Sequence, residues 1–374
     1  MARTRPRRMA PRDARRSVEN ARGRFRPASA WAIATTLLLL ATGFKTPSAS
    51  NGFDEAGRDG ARGRAADSPA EIPPTGWKDI LLRVYNNIWE HRILSIAGGV
   101  TFYSILAIFP GIAALVSLYG LFADTGTISA TVDQFQGVLP EGGIEIVRGQ
   151  ITRLTAQPHG ALSLGFVVSL VFALWSANSA MTAMFDALNI VYSEKEKRSL
   201  VRLYGEALVF TTAGIVLGVL AIAAVVALPP ALNAIKLGSG IDNLIRIARW
   251  PILLSIVALA LAVLYRYGPS RERARWRWIS WGSGFAAIIW LGASILFSWY
   301  AGNFGRFNAT YGSLGAIIGF MMWLWISSVV ILVGGELDAE IEHQTAKDST
   351  TGAPRPMGAR GATMADTLGP AQSD

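Results

Sequence analysis

Long uncharged stretches alternate with short polar and basic segments along most of this chain. Five stretches exceed the roughly 20 apolar residues that a helix needs to cross a bilayer. A shorter sixth stretch is flanked by Arg249 and Arg266, whose long side chains can reach the head groups. The pattern predicts an all-α, polytopic membrane protein with a bundle of six transmembrane helices. The predicted spans lie near residues 93–123, 160–185, 207–235, 250–265, 278–305 and 307–335.

Two further segments show helical periodicity outside the predicted spans. From Trp77 to Ile88, apolar residues recur at helical spacing with charged residues elsewhere on the wheel, which predicts a juxtamembrane helix lying in the cytoplasmic interface. In the first outer loop, apolar positions recur every three or four residues over 128–139 and again over 144–154. This spacing indicates a helical hairpin that caps the outer face of the bundle.

The composition fits a membrane protein and removes several kinds of site. Of the 374 residues, 51% are hydrophobic and only 16% are charged, a balance that suits a bilayer. The chain has no cysteine, which excludes disulfides, thiolate metal sites and cysteine nucleophiles. Its three histidines are scattered along the chain. We therefore expect no metal site and no cofactor.

The distribution of basic residues predicts the orientation in the membrane. A net charge of +9 would fit a nucleic-acid-binding protein, but the basic residues gather next to the predicted spans. Fourteen are counted when Lys78, Arg83 and Arg92 before the first span and Lys347 and Arg355 after the last are added to the loops between spans two and three and between spans four and five, whereas the alternate loops hold six. By the positive-inside rule both termini are cytoplasmic, and an even number of spans requires them to share a side.

The two ends of the chain flank a predicted membrane domain at 77–343. Residues 1–76 combine ten arginines before residue 31, a 14-residue apolar run at 31–44 and a polar linker. A seventh helix would place those arginines outside or invert the other spans, and a signal peptide would have a shorter charged region. The segment also fits a disordered basic tail with a short interfacial or packed segment, or a wrongly assigned start codon. Residues 344–374 are predicted to be a disordered cytoplasmic tail.

Polar residues inside the first predicted span are candidates for a substrate path. Tyr103 and Ser104 follow a run of small residues, and Pro110 removes one backbone hydrogen bond at mid-membrane depth. A break at that depth needs protein or a water-filled cavity to satisfy the freed carbonyl. The pattern fits either a packing kink or a kink that lines a path.

A second set of polar residues lies on the second span. Asn178, Thr182, Asp186 and Asn189 are spaced by four, four and three residues, so they are predicted to share one helix face. Polar groups inside a span are costly unless they face other helices or water. The stripe therefore indicates either interhelical hydrogen bonds or a polar cavity that opens to the cytoplasm.

The junction of the last two spans is also polar. Asn308 and Tyr311, near Arg306, form either a simple turn or a holder for an anionic head group. Gly315 and Gly319 follow as a GxxxG pair, which favours close helix packing.

Acidic residues gather at the end of the last span. Glu336, Asp338 and Glu340 lie where the helix dipole and the positive-inside trend both disfavour negative charge, so basic partners are expected. Arginines of neighbouring loops, or Lys195 and Arg198, are the candidate partners. The cluster is either a structural salt-bridge latch or a site of proton or cation coupling.

No catalytic motif stands out along the chain. Residues 271–278 interleave arginine with tryptophan, but their position directly before a span favours an interfacial anchor over a nucleic-acid-binding segment. We therefore expect no catalytic residues and no nucleic-acid partner.

Three stretches resemble one known family. AGGVTFYSILAIFPGIAALVSLYGLF, WSANSAMTAMFDALNIVYSEKEKRS and FNATYGSLGAIIGFMMWLWISSVVILVGGELDAEIEH, together with the order of spans, are similar to the YihY/virulence factor BrkB family, historically labelled ribonuclease BN. The resemblance covers about residues 77–343. It implies a multi-pass bacterial inner-membrane protein with six helices and cytoplasmic ends. For the family, it implies export or flipping of lipids or other envelope components.

The ribonuclease label conflicts with the physical chemistry of the chain. Phosphodiester hydrolysis usually needs metal-binding carboxylates or an acid–base pair in an accessible basic cleft. The soluble segments are too short to build one. Our hypothesis is a transporter-like or flippase-like protein whose partners are membrane lipids. The alternative is a non-transporting scaffold of the envelope, and a homo-oligomer or an envelope partner is compatible with both.

Overall fold

Six long helices follow one another along the chain. The structure, a computed structural model, describes residues 62–120, 159–226, 239–303 and 315–372, which all belong to a compact unit spanning Ala56–Asp374. A helix α1 (Pro74–Glu90) comes first and a four-residue helix α8 (Thr363–Asp366) comes last. The long helices are α2 (Ile93–Gly120), α3 (His159–Val191), α4 (Leu200–Val226), α5 (Ser239–Tyr267), α6 (Trp276–Asn303) and α7 (Gly315–Glu342).

The predicted all-α membrane architecture is confirmed. In the described ranges, four helical stretches are long and apolar enough to cross a membrane, and a shorter apolar stretch, Ile93–Ala107, lies in α2. The four are Leu200–Ala221, Trp250–Tyr267, Trp276–Ala301 and Ile317–Glu342. The count of six spans stays a prediction.

Several helices are longer than the uncharged stretches that predicted them. Helix α5 begins at Ser239 rather than near residue 250 and continues through Pro251. Helix α7 continues to Glu342 rather than ending near residue 335. The predicted spans ended at charged residues, but a helix can continue through charges whose side chains find buried partners.

Helix α7 lies at the centre of the packing. It contacts α1, α2, α3 and α6, whereas α4 packs on α3 and α5 packs on α6. Within the described parts of both helices, α4 and α5 do not pack side by side although they follow each other in the chain. Elsewhere, long rows of aliphatic side chains on α3, α4 and α6 are exposed, as expected for surfaces that meet lipid.

The buried core concentrates at one end of the bundle, which we call the polar end. It is formed by the C-terminal turns of α3, α5 and α7, the N-terminal turns of α4 and α6, and α1. Phe185, Leu188, Tyr265 and Leu332 are fully buried there. A second apolar cluster joins α1 to α6 and α7 through Ile80, Val84, Trp278, Leu337 and Ile341.

Helices α6 and α7 cross at glycines. A Cβ atom on Gly282 would overlap the carbonyl oxygen of Gly334 and lie 2.5 Å from Cγ of Asp338. A Cβ on Gly334 would lie 2.5 Å from Cβ of Ala286 and 2.6 Å from the hydroxyl of Tyr265. Small residues let the two backbones approach closely. Close packing at the Gly315–Gly319 pair stays a prediction.

The C-terminal segment is ordered, unlike the disordered tail predicted for residues 344–374. Arg360 is buried and donates to the carbonyls of Ala346 and Ala365 at 2.7 and 2.6 Å. The backbone amide of Ala346 donates to the carbonyl of Arg64 at 2.8 Å, which ties this segment to part of the predicted linker. Composition rich in Gly, Ala and Pro suggested disorder, but buried arginines organise the backbone instead.

Two sequence predictions lie outside the described residues. They are the apolar segment at 31–44 and the outer hairpin at 128–154, and both stay predictions.

The glycine crossing generates a stability prediction. We expect Gly282→Ala to lower the thermal unfolding temperature of the detergent-solubilised protein, because the added methyl overpacks the crossing at a cost of about 1–3 kcal/mol. Gly284→Ala on the same helix is the matched control, since its Cβ would meet nothing within 4 Å. Equal unfolding temperatures for the two variants would show that the crossing is not tightly packed.

Candidate functional site

The last turns of α7 carry four carboxylates that are all buried at the polar end. Glu336, Asp338, Glu340 and Glu342 are each at most 2% exposed. Because an α-helix has 3.6 residues per turn, Glu336 and Glu340 share one face and Asp338 and Glu342 share the opposite face. A buried carboxylate needs donors close by. Each face of α7 therefore requires its own partners.

Helix α1 supplies the donors for the first face. The side-chain amide of Asn87 donates to both Glu336 and Glu340, at 2.7 and 2.9 Å. Nδ1 of His91 lies 3.1 Å from the second oxygen of Glu336. The guanidinium of Arg83 forms a buried ion pair with Glu340. One helix thus saturates both carboxylates of this face.

Arg83 also connects the C-terminal segment to the bundle. Its Nη2 donates to the side-chain oxygen of Gln344 at 2.7 Å, and its Nη1 donates to the carbonyl of Pro370 at 3.1 Å. A Cβ on Gly369 would lie 2.6 Å from the guanidinium carbon, so this backbone rests directly on the charged group.

The second face of α7 meets α6 and the loop between α5 and α6. The backbone amide of Gly282 donates to Asp338 at 2.6 Å. Arg271 donates to Glu342 at 2.6 Å, with both side chains buried. Burial by itself lowers the pKa of Arg271, but the charge of and hydrogen bond to Glu342, together with the nearby Tyr192 and Glu194, outweigh it and the pKa is raised. Arg271 therefore stays charged and the pair stays ionic.

The salt-bridge latch stays a prediction. Arg271, an arginine of a neighbouring loop, pairs with Glu342, whereas Arg198, which was predicted together with Lys195 as a partner, binds Glu196 and Glu206 at 2.7 and 2.8 Å. In the described part of the chain, no group of three or more His, Asp or Glu side chains is arranged to hold a metal ion. Coupling to a proton or cation stays a prediction.

Asn189 belongs to the polar end and not to an open path. Its side-chain amide donates to Glu196 at 3.0 Å, and its oxygen accepts from the backbone amide of Ser270 at 2.7 Å. Hydrogen bonds from Arg198 lower the pKa of Glu196 to about 2, against the smaller effect of burial. This part of the network therefore stays ionised at neutral pH.

The remaining residues of the predicted α3 stripe differ in exposure. Asp186 is exposed, and Asn178 and Thr182 are partly exposed. The hydroxyl of Thr182 donates to the carbonyl of Asn178 at 2.8 Å. Trp175, one turn before Asn178, is 61% exposed. The predicted single face is thus divided: Asn189 turns inwards, Asp186 is exposed, and Asn178 and Thr182 are half-buried, with the side-chain oxygen of Asn178 buried and without a partner among the described residues.

The candidate residues Tyr103 and Ser104 of α2 make contacts within their own helix. Tyr103 is exposed and packs edge-on against Phe102, and the hydroxyl of Ser104 donates to the carbonyl of Val100 at 2.8 Å. The helix continues through Pro110 to Gly120, so the proline does not end it. Asn308 and Tyr311 lie outside the described residues.

Sequence reasoning missed the most connected residues of the polar end, Arg83, Asn87 and Gly282. A signal was present for α1, because Asp79, Arg83 and Asn87 recur every four residues and form a polar face. That face packs inwards, while Leu81 and Tyr85 are exposed on another side of the helix. An interfacial helix would instead turn its charged residues towards water.

Comparison with known proteins places this arrangement in context. A family model described as Virulence factor BrkB matches residues 84–358. YfkH of Bacillus subtilis, named a ribonuclease-like protein, is 27% identical over 69% of this chain and 94% of its own. UPF0761 membrane proteins of Methylibium petroleiphilum and Ralstonia nicotianae are 23% and 26% identical over 70% and 67% of this chain. The chain spans 62% and 56% of those two relatives. No solved structure matches the chain.

The Arg83–Glu340 pair yields a second stability prediction. Arg83→Gln leaves a buried carboxylate without its cation, which costs about 3–5 kcal/mol in comparable pairs. We expect a lower unfolding temperature and faster proteolysis after residue 344, because Arg83 also holds the C-terminal segment. Arg202→Gln, which removes an exposed arginine paired with Glu206 one turn away, is the control. Similar behaviour of the two variants would rule out an anchoring role for Arg83.

The His91–Glu336 contact predicts a pH dependence. The hydrogen bond from His91 to Glu336 raises the pKa of His91 above 6.5, against the opposing effect of burial. The stabilisation is therefore complete below the unfolded-state pKa and is lost as the pH rises through the folded-state value. We expect the unfolding temperature to fall between about pH 5.5 and about pH 8.5 more steeply in the parent chain than in His91→Gln. Equal changes of unfolding temperature with pH in the two proteins would contradict this prediction.

Proposed function

Since the chain belongs to the virulence factor BrkB family and its relatives are membrane proteins, we propose that it moves an amphipathic lipid or another envelope component across a bacterial inner membrane. The observation that carries the proposal is the polar stripe of α3 formed by Asn178, Thr182 and Asp186, of which Asp186 is exposed and the other two are half-buried. Such a surface can accept a polar head group while the acyl chains stay in lipid.

The stripe extends deep along the helix. Asn178 lies 13 residues before Val191, the end of α3, which is about 20 Å at 1.5 Å per residue. Polar side chains in membrane helices ordinarily face the bundle interior or a water-filled cavity. Here they lie between exposed apolar residues such as Val171 and Ile190. This arrangement supports passage of a head group along the outside of α3.

The contacts at the polar end also support a route along the outside of α3, because they leave no opening through the described bundle at that end. Its ion pairs and hydrogen bonds join α1, α7, the α5–α6 loop and the C-terminal segment. A substrate that crossed the bundle there would have to break several buried charge pairs at once. We further propose that this end faces the cytoplasm, as the basic loops predict.

A ribonuclease function, which the name of YfkH suggests for that protein, has little support in this chain. Three of the four carboxylates are held by partners: Arg83 holds Glu340, Arg271 holds Glu342 and Asn87 bridges Glu336 to Glu340. The fourth, Asp338, accepts from the backbone amide of Gly282 through one oxygen, and its other oxygen is buried without a partner among the described residues. We propose that the chain is not an enzyme. Ribonuclease activity in pure protein that disappeared with Glu336→Ala would overturn this.

A scaffold function is the second candidate, and the surface of α4 favours it. Val201, Val209, Val216 and Leu220 are all more than half exposed along the helix. Such a row could pack against another membrane protein instead of lipid. A scaffold would leave lipid distribution unchanged, so one assay separates the two candidates.

The assay is transbilayer movement of fluorescent phosphatidylglycerol and phosphatidylethanolamine in vesicles containing the purified full chain. We expect faster movement than in protein-free vesicles, and a return towards the protein-free rate with Asp186→Leu combined with Thr182→Val. Thr212→Val is the matched control, because Thr212 is an exposed threonine on α4 whose hydroxyl likewise bonds to the carbonyl four residues earlier. Rates equal to those of empty vesicles would favour the scaffold.

A further inference from the structure

Arg266, at the end of α5, differs from the other buried arginines of the described chain. It is 8% exposed, and no described residue forms a salt bridge or hydrogen bond with it; its Nε and Nη1 are buried without an acceptor. By contrast, Arg83 and Arg271 have carboxylates, and Arg360 has backbone carbonyls. A buried cation without an anion is unfavourable. The negative end of the α5 dipole offsets only part of that cost.

Aromatic rings, rather than acidic side chains, lie next to the guanidinium of Arg266. Its guanidinium lies 4.6 Å from the ring centre of Trp276 and 5.5 Å from that of Tyr267. A second arginine, Arg273, lies 4.8 Å from the same Tyr267 ring. The two positive charges are therefore within a Debye length of about 10 Å, where they repel each other. Aromatic faces attract both cations but accept no ordinary hydrogen bond from their N–H groups.

The nearest acidic residue in sequence does not neutralise this pair. Glu272 is exposed, and its backbone amide donates to the carbonyl of Gly361 at 3.1 Å. A Cβ on Gly361 would lie 2.9 Å from Cγ of Glu272, so this side chain packs against the C-terminal segment. The excess positive charge around Tyr267 therefore remains open to an external anion.

The position of the cluster indicates which anion would meet it. One apolar stretch ends at Tyr267 and the next begins at Trp276, so both rings lie at the membrane boundary. Trp276 is 45% exposed and Arg273 is exposed, so the cluster reaches the protein surface at these two residues, while Nε and Nη1 of Arg266 lie beneath it. Lipid phosphates lie at this depth, and arginine binds phosphate through two parallel N–H groups.

We propose that Arg266 and Arg273, framed by Tyr267 and Trp276, form a binding site for the phosphate of an anionic phospholipid. The guanidinium groups neutralise the phosphate and the aromatic rings support the adjoining glycerol and upper acyl chain. This site is separate from the α3 stripe and does not depend on transport.

The test is a native mass-spectrometric titration of the purified full chain with phosphatidylglycerol and with phosphatidylcholine of identical acyl chains. We expect the parent chain to retain more phosphatidylglycerol than phosphatidylcholine. Arg266→Gln and Arg273→Gln should each bind it about tenfold more weakly, as for loss of a charge-assisted hydrogen bond. Arg202→Gln, which makes the same charge change at an exposed arginine, should bind like the parent chain.

Three outcomes would overturn the proposal. They are equal retention of the two lipids, equal weakening by Arg202→Gln, and displacement of phosphatidylglycerol by millimolar inorganic phosphate, which would assign the site to the free ion. If Arg266→Gln fails to fold, Arg273→Gln decides the test, because Arg273 is exposed and its loss leaves the core intact.

Discussion

The burial of four carboxylates in the last turns of α7 is the constraint on which the rest of the structure depends. Removing one charge from water costs several kcal/mol unless donors replace the lost hydration. Since the carboxylates lie on two opposite faces, donors must arrive from two sides. Helix α1 supplies one set, and α6 with the α5–α6 loop supplies the other. The same requirement explains why residues 344–372 are ordered, because Arg83 holds their backbone while it pairs with Glu340.

The ion pairs and hydrogen bonds hold the helices together at the polar end. The helix surfaces away from that end are therefore free to contact lipid. At the polar end, Gly282 and Gly334 bring α6 and α7 close together, and the core is dense. Away from it, α4 packs on α3 alone among the helices described, and its apolar side chains are exposed. The α3 stripe lies on this second type of surface. In the function that we propose, the protein combines this ion-paired end with a polar track on α3 that borders the membrane.

The lengths of the uncharged runs predicted the helices well. Burying a charge in lipid is costly, so each membrane-crossing stretch must avoid charge over consecutive residues, and this can be read directly from the sequence. The partners of the buried charges were harder to predict, because they come from segments that are distant in the sequence. Glu340, for example, binds Arg83, which lies 257 residues earlier. Basic residues in short loops were the expected partners, yet Arg198 is satisfied by Glu196 and Glu206. Helical spacing placed Asn189 with Asp186, but the turn at the end of α3 directs Asn189 to Ser270. Residue spacing predicts which side chains share a helix face, but the packing of the folded protein decides whether that face is covered.

The most direct test of this account uses the absence of cysteine in the chain. Single cysteines at Ser179 and Ser176 lie on the same helix, but Ser176 is 1% exposed whereas Ser179 borders the polar stripe. In native membranes, reaction with a small charged thiol reagent should be rapid at position 179 and absent at position 176, with both reacting after denaturation. Protection at both positions would show that the stripe is dry, and would contradict a polar track on α3.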